Sequence, residues 1–249
     1  MPSELAPLLE DGAPLAQLDD CVMLDDSPAL RGRLAAVAEH HERTRCLDRF
    51  ELVLPLDSAR RTRVLCGFFD AIAADYDELI EASRNLANIG LMLDRLLAEG
   101  VPGGLPVLDF GAGGGLSLDA AAQRGLNVLG FDVCAGMRDL ARRRGMLVDD
   151  PDDLAARAGH SLGGGFASYV LHLEPCPPSL PDVWRCLAPG AAFVGNFHKA
   201  RGLERFTRFA HEMGIEVEHL PPVPGAEHHG PFAICRKRRG GAAAALNGR

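Results

Sequence analysis

Between residues 106 and 132 the chain reads PVLDFGAGGGLSLDAAAQRGLNVLGFD, and this stretch limits what the rest can be. An apolar strand ends in Asp109, Gly111-Ala112-Gly113-Gly114-Gly115 opens a helix, and a second strand ends in Asp132, 23 residues after Asp109. Glycine is needed where the backbone must turn tightly and come within contact distance of a ligand, which any Cβ would obstruct. In doubly wound sheets an acid closing the second strand accepts hydrogen bonds from the ribose hydroxyls of an adenosine cofactor. Strand, turn, helix, strand and acid in this order predict an adenosine-binding βαβ unit.

The same alternation continues to the C-terminus. Strands are expected at 106–110, 127–132, 146–149, 166–171, 191–197, 215–220 and 231–237. Helices are expected at 115–124, 135–144, 152–158, 179–187 and 202–213. Alternating strands and helices of this length build right-handed crossovers and a mostly parallel sheet. The last two strands are joined only by PPVPGAEHHG and should pair as an antiparallel hairpin. The predicted fold is α/β: a Rossmann-like, seven-stranded, mostly parallel sheet with an antiparallel C-terminal hairpin.

The first hundred residues carry no nucleotide motif and read as a helical cap. Ser27-Pro28 is a good helix start, and Leu30, Leu34, Val37 and Ala38 share one face of a helix reaching about Phe50. Pro55 breaks it, and Asp57 or Ser58 caps a second helix running to Ile80, with an interruption near Gly67. A third, Asn85 to Glu99, places Ile89, Leu93, Leu96 and Leu97 at helical spacing. The division is then cap 1–100, core 101–238 and tail 239–249.

Bulk properties narrow the function. The net charge is −8 and the only lysines are Lys199 and Lys237, against the positive balance of a duplex-binding surface. The one basic cluster, Arg236 to Arg239, reads as a solvated tail. No apolar run approaches the roughly 20 residues of a membrane span, and the acidic start has no secretory pattern. A cytoplasmic protein binding neither nucleic acid nor membrane is expected. Seven scattered cysteines form no CxxC pair, so neither zinc nor a disulfide framework is indicated. The Ala, Arg, Gly and Leu bias suggests a bacterial source.

A dinucleotide fingerprint would place its third glycine at position 116, where this chain has Leu116. The pattern is Asp-x-Gly-x-Gly-x-Gly instead, and it resembles the first motif of class I S-adenosylmethionine (SAM) methyltransferases. Asp149-Asp150-Pro151-Asp152-Asp153-Leu154 resembles the family's acid-x-x-x-Leu segment. FASYVLHLEP followed by VWRCLAPGAAFVGNFH resembles its fourth and fifth strands, with Arg185, Leu187, Pro189 and Gly190 matching the Arg-x-Leu-x-Pro-Gly turn. FFDAIAADYDEL is similar to a Tyr-Asp segment that precedes the core in many small-molecule methyltransferases. The resemblance covers about residues 68–238.

It implies SAM as cofactor and S-adenosylhomocysteine as product, held by Asp109, Gly111, Ala112, Gly113, Asp132, Val133, Asp150 and Leu171. In it Asp109 meets the ammonium of SAM directly or through water, Asp132 grips the ribose, Asp150 receives the adenine amino group, and Tyr76 lies over the methionine end. The chain departs from the family where the fourth strand opens Phe166-Ala167 instead of Phe-Asp. No Asn-Pro-Pro-aromatic or Asp-Pro-Pro-aromatic tetrapeptide follows, which counts against nucleobase and glutamine acceptors.

Methyl transfer asks a protein chiefly to align nucleophile, methyl and sulfur and to exclude water. A base is needed only if the nucleophile must lose a proton. His172 and His198 follow the fourth and fifth strands, at the ligand-binding edge of such sheets. Each is a candidate base or a pocket-lining hydrogen-bonding residue, and Tyr76 joins them as a candidate catalytic contact. Glu174 reads as a loop carboxylate. Arg84 and Asn85 open the third helix, where capping or solvation competes with contact to the SAM carboxylate. His228 and His229 read as exposed loop residues, and His40-His41-Glu42 diverge on a helix, so no metal is expected.

The leading expectation is a SAM-dependent methyltransferase for a small-molecule acceptor, in secondary metabolism. Two alternatives stay open: the fold repurposed for an intramolecular cyclisation or group displacement, or a non-catalytic methyltransferase-like subunit. A homodimer or a protein partner docked through the N-terminal helices belongs to the same set of expectations.

Overall fold

A computed structural model of the chain describes residues 16–18, 21–24, 41–47, 50–197 and 200–239. Its centre is a seven-stranded sheet: β5 (Val107–Phe110), β6 (Val128–Phe131), β7 (Val148–Asp149), β8 (Gly164–Ala167), β9 (Ala192–Asn196), β10 (Val217–Leu220) and β11 (Phe232–Arg236). The order across the sheet is β10-β11-β9-β8-β5-β6-β7. Strands β5 to β9 are parallel, and β11 runs antiparallel to both β9 and β10. This is the expected Rossmann-like sheet with its reversed C-terminal hairpin. Strand β5 is buried at all four positions, as a central parallel strand with both faces covered must be.

Helix α1 (Ser58–Ile72) is capped by Asp57, whose side chain accepts the Arg60 N–H. It runs through Gly67 without interruption, and the break comes at residues 73–75, before the single turn α2 (Tyr76–Leu79). Helix α3 (Ala82–Glu99) buries Ile89, Met92, Leu93 and Leu96 on one face, packed against Val107, Phe166, Ala192 and Val194 of the sheet. Each such side chain contributes roughly 1.5–3 kcal/mol by leaving water. Gly100, at φ +88°, ends the helix with its N–H on the carbonyls of Leu96 and Leu97. The core helices are α4 (Ser117–Ala122), α5 (Ala135–Arg143), α6 (Pro151–Ala156), α7 (Leu180–Cys186) and α8 (Ala200–Glu212). Among the described residues no helix is long and apolar enough to cross a membrane.

Ahead of the helices, the cap holds a four-stranded antiparallel sheet of order β1-β2-β4-β3, from β1 (Ala16–Leu18), β2 (Cys21–Leu24), β3 (His41–Cys46) and β4 (Phe50–Pro55). The helix expected to reach Phe50 is therefore corrected over residues 41–46; its apolar face, Leu30 to Ala38, lies outside the described residues. The physical reason is a period of two. In the register that sets Thr44 against Leu52 and Cys46 against Phe50, Thr44, Cys46, Leu52 and Leu54 are all buried. Cys46, Leu52 and Leu54 pack on Val64, Leu65 and Phe68 of α1.

Strand β8 also differs from its expected span, 166–171. It begins earlier because Gly164 and Gly165 pair with Val107 and Leu108 in the middle of the sheet. A Cβ on Gly165 would stand 2.8 Å from the Phe193 ring, so the glycine is what lets that ring lie flat against the strand. The strand stops by Tyr169, whose φ of +58° is incompatible with further pairing. Of the basic cluster near the C-terminus, Arg238 and Arg239 are exposed, as expected of solvated residues, while Arg236 and Lys237 also hold partners in the fold. Arg236 pairs with Glu99 and Glu218, and the Lys237 ammonium donates to the Trp184 carbonyl at 2.7 Å.

Candidate active site

The carboxyl ends of β5 and β6 bring Asp109 and Asp132 to the two sides of the glycine turn. Gly111, Gly113 and Gly115 all have positive φ, +78°, +52° and +78°, a conformation that costs other residues roughly 1–2 kcal/mol. The N–H groups of Gly111 and Ala112 both reach the Phe131 carbonyl, at 2.8 and 3.0 Å. At Gly115 a side chain would press on the Ala141 backbone at 3.2 Å, which explains the close seating of α5.

Asp132 is 6% exposed. Its Oδ2 accepts the Gly113 N–H and its Oδ1 the Cys134 N–H, each at 2.9 Å. One carboxylate thus fixes both the glycine turn and the start of α5. A carboxylate has about four acceptor positions, so these two bonds leave lone pairs for a diol. Burial pushes its pKa up, opposed by the two backbone N–H groups. Asp109 is 3% exposed and accepts a hydrogen bond from the Ser117 hydroxyl. Burial raises its pKa to about 7, opposed by Ser117 and reinforced by the charge of Asp132.

The cap closes over this turn. The Tyr76 hydroxyl stands 3.0 Å from the position a Cβ on Gly113 would take, and its ring meets Phe69 edge-on at 6.3 Å. The next residue, Asp77, pairs with Arg144 at 2.6 Å, while the same guanidinium donates to the Gly114 carbonyl at 2.6 Å. From α1, Asp70 accepts the Gly136 N–H at 2.7 Å. Tyr76 is driven well above the usual tyrosine pKa by burial and by the nearby carboxylates, Asp132 first among them. It is a neutral phenol covering the turn. Proton abstraction from a substrate is not a role this environment favours.

The remaining sequence candidates fall in different places. Ala112 packs into the small cluster with Met146 and Val148, and Val133 is half-buried against Ala73 and Met137 near Tyr76. Asp150 is the N-cap of α6, its Oδ1 accepting the N–H groups of Asp152 and Asp153 at 2.9 Å in a capping box. Leu171 is fully buried and fills the space beside Gly195, so its side chain lies in the core rather than on the cleft. His172 is half-buried with its ring edge-on to Tyr169 at 6.4 Å. His198 lies outside the described residues.

A second constellation was not anticipated. The hydroxyl of Tyr169, one residue before the Val170 side chain that packs on Gly111, shares a hydrogen bond with His229 Nδ1. Asn196, at the end of β9, accepts the Tyr169 N–H at 2.8 Å and donates to the His229 carbonyl at 2.9 Å. His229 is 1% exposed, which corrects its reading as an exposed loop residue; His228 beside it is exposed. The Arg84 guanidinium lies 5.6 Å from the centre of the Tyr169 ring, and Asn88 donates to the Ser168 hydroxyl at 2.8 Å. The one signal available in sequence was Asn196 itself, since a polar residue in an apolar strand must find partners.

Glu42, expected on a helix and found in β3, and Glu174, read as a loop carboxylate, belong to an ionic bridge around a buried arginine. Arg61 is wholly buried; it contacts Glu42 at 2.7 Å and Glu174 at 3.9 Å and donates to the carbonyls of Leu173 and Pro55. Arg205 of α8 makes a forked contact to both oxygens of Glu42 at 2.9 Å.

The fit to an adenosyl sulfonium rests on these residues. Two buried carboxylates flank a turn whose glycines are conformationally required, with a neutral tyrosine above. Residues 108–195 match the family model described as a methyltransferase domain. No curated protein matches. Among solved structures, magnesium protoporphyrin IX methyltransferase from Synechocystis PCC 6803, with bound SAM, is 16% identical with a TM-score of 0.53, covering 71% of this chain and 97% of that one. A chain of the complex between the Haloferax volcanii Trm112 methyltransferase activator and a methyltransferase is 19% identical with a TM-score of 0.51, covering 68% and 97%. A SAM-dependent methyltransferase structure from Methanococcus maripaludis is 14% identical with a TM-score of 0.51, covering 70% and 95%. At these identities the likeness is one of fold. Residues 108–195 thus match a methyltransferase domain, and the chain shares the fold of class I SAM-dependent methyltransferases.

Proposed function

We propose that the chain is a SAM-dependent methyltransferase acting on a small-molecule acceptor of secondary metabolism. The observation that carries it is the placement of Asp109 and Asp132 at the ends of adjacent parallel strands, with a turn between them whose glycines hold positive φ. When bound, SAM supplies an electrophilic methyl on a sulfonium. The chain's own residues then have defined tasks. Asp132 presents its remaining lone pairs to the ribose diol, and Asp109, once ionised, faces the ammonium of the amino-acid tail. Asp150 holds its carboxylate at the end of β7, where an adenine amino group would be met.

Tyr76 and α2 act as a cover that keeps water from the reacting centre. The cover is tied down by Asp77 through Arg144 and by Asp70 through Gly136. Calorimetric titration with SAM and S-adenosylhomocysteine tests the binding half. A mass search for products heavier by one methylene tests the transfer. No heat with either compound would sink the proposal.

One observation favours a second reading, the fold run for a non-methylating reaction. The fourth strand carries Phe166-Ala167 where the family has Phe-Asp. Turnover without consumption of SAM would select that reading, and strict SAM dependence with a methylated product would remove it.

A further inference from the structure

We infer that Cys66 and Cys134 are a thiol pair that closes reversibly to a disulfide and fastens the cap to the cofactor edge of the sheet. The bond itself is independent of the methyltransferase reading. Its consequence, slower passage of the cofactor, deepens that reading and rests on it.

The pair stands where the cap meets the core. Cys66 lies on α1 one turn ahead of Asp70, so both side chains leave the same face of the helix. Asp70 accepts the Gly136 N–H at 2.7 Å, and a Cβ on Gly136 would stand 2.8 Å from that of Ala73. The end of α1 therefore lies directly against the first turn of α5. Cys134 is the N-cap of α5, and its N–H is held by Asp132 Oδ1 at 2.9 Å. The backbone is thus pinned on both sides, and the two thiols meet between them in a hydrogen bond. Cys134 is buried with Ala73 and Met137, and Cys66, Phe69 and Tyr76 pack around that cluster. Both cysteines are free thiols.

The two thiols differ in reactivity. Cys66 is half-buried, and the hydrogen bond from Cys134 lowers its pKa against the opposing effects of burial and of Asp132 and Asp70. Cys134 is 3% exposed and is driven well above the usual thiol value by that bond and by burial. Cys66 is therefore the attacking group and Cys134 the resolving one. The oxidant is a small disulfide of the glutathione class. The Cys66 sulfur attacks one of its sulfurs, and a mixed disulfide forms as the first glutathione leaves with the Cys66 proton. The Cys134 sulfur then attacks Cys66, and the second glutathione leaves with the Cys134 proton. Two electrons pass to the oxidant, one protein S–S bond forms and two glutathione thiols are released. Tyr76, which covers the glycine turn, follows α1 after only residues 73–75. Tying α1 to α5 therefore limits how far that cover can lift.

The test uses the full chain, reduced or treated with millimolar oxidised glutathione, and tryptic mapping without reductant. Residues 64–84 and 125–138 form two tryptic peptides with one cysteine each. Treated protein is expected to yield them as one linked species, lighter than their sum by the hydrogen lost from each thiol and split by dithiothreitol. Dissociation of S-adenosylhomocysteine, followed by displacement in stopped flow, should be about tenfold slower from the linked form, as a raised barrier to lifting the cover requires. Cys66→Ser should leave 125–138 unlinked and show one dissociation rate with and without the oxidant. A map without the linked species, or with 64–84 joined to another cysteine, overturns the inference. So do equal rates from the linked and reduced chains, or a slowing that persists in Cys66→Ser. Absence of heat with S-adenosylhomocysteine in the reduced protein overturns the methyltransferase reading instead, and the peptide map still decides the bond.

Discussion

The Tyr76 hydroxyl and Gly113 are so close that one methyl group would bring them to the limit of contact: a Cβ there would lie 3.0 Å from the phenol oxygen. The residue at 113 must therefore satisfy two demands, a φ of +52° and the seating of α2. Gly113→Ala is expected to cost about 1–2 kcal/mol for the backbone alone, a drop of roughly 2–8 °C in Tm. The same substitution should weaken SAM by more than about tenfold. Adding Tyr76→Ala should relieve the contact and leave the backbone term, so the double variant recovers only part of the stability. Calorimetry and thermal melts on the three variants decide it, and a Gly113→Ala protein that binds SAM normally would contradict this account of the turn.

Asp132 ties the glycine turn to the start of α5 with the two oxygens that, in the proposed function, also meet the ribose. Asp132→Asn keeps the shape but replaces one acceptor oxygen with a donor, so one of the Gly113 and Cys134 N–H groups loses its partner. Losing a hydrogen bond to a charged group costs about 1.5–3 kcal/mol. SAM affinity should therefore fall about tenfold to a hundredfold, with a lower Tm. Asp150→Asn is the comparison: its Oδ1 cap bonds survive the change, and its melting temperature should move far less.

What could be read in sequence, and what could not, divides by range. The turn from Asp109 to Asp132 was legible because its demands are local: tight backbone, positive φ, an acid at a strand end. The strand at Gly164-Gly165 was displaced because its glycines make sense only once the Phe193 ring lies against them. The helix expected to reach Phe50 gave way over residues 41–46 because alternation across His41–Pro55 becomes visible only when Thr44 faces Leu52. The Tyr169–His229 pair was out of reach for the same reason. Its two members are joined through Asn196, and no local pattern marks either of them.

Two buried carboxyls make the same demand on stability as pH changes. Asp109 and Glu174 are each raised to about 7, from ordinary values of 3.8 and 4.5, with burial the largest cause in both. A carboxyl raised in the folded state binds its proton more tightly there than in the unfolded chain. Its stabilising contribution is complete below about pH 4 and is lost as pH rises through about 7. Other carboxylates and net charge act at the acid end, so the visible consequence is a decline in stability between about pH 5 and 8, by a few kcal/mol at most. Asp109→Asn should flatten part of that decline. SAM affinity should run the other way, rising with pH through about 7, because only the ionised Asp109 attracts an ammonium. Denaturation and calorimetric titrations across this window check both signs, and parallel trends would count against the assignment of Asp109.

Arg61 ties β3 and β4 to the loop after β8. It is wholly buried, it touches Glu42 of β3 and Glu174 of the loop, and it donates to the Leu173 carbonyl. Ser58, on the same helix, donates to the Cys176 carbonyl at 2.9 Å. Burying the guanidinium lowers its pKa, and the two glutamates oppose that. Removing one partner of a buried pair is costly because the other charge is stranded. Arg61→Met should therefore destabilise the protein by about 3–5 kcal/mol. Glu42→Gln should cost less, since Arg61 keeps Glu174 and its carbonyls. Chemical denaturation of the two variants checks this order, and a loss as large for Glu42→Gln as for Arg61→Met would contradict it.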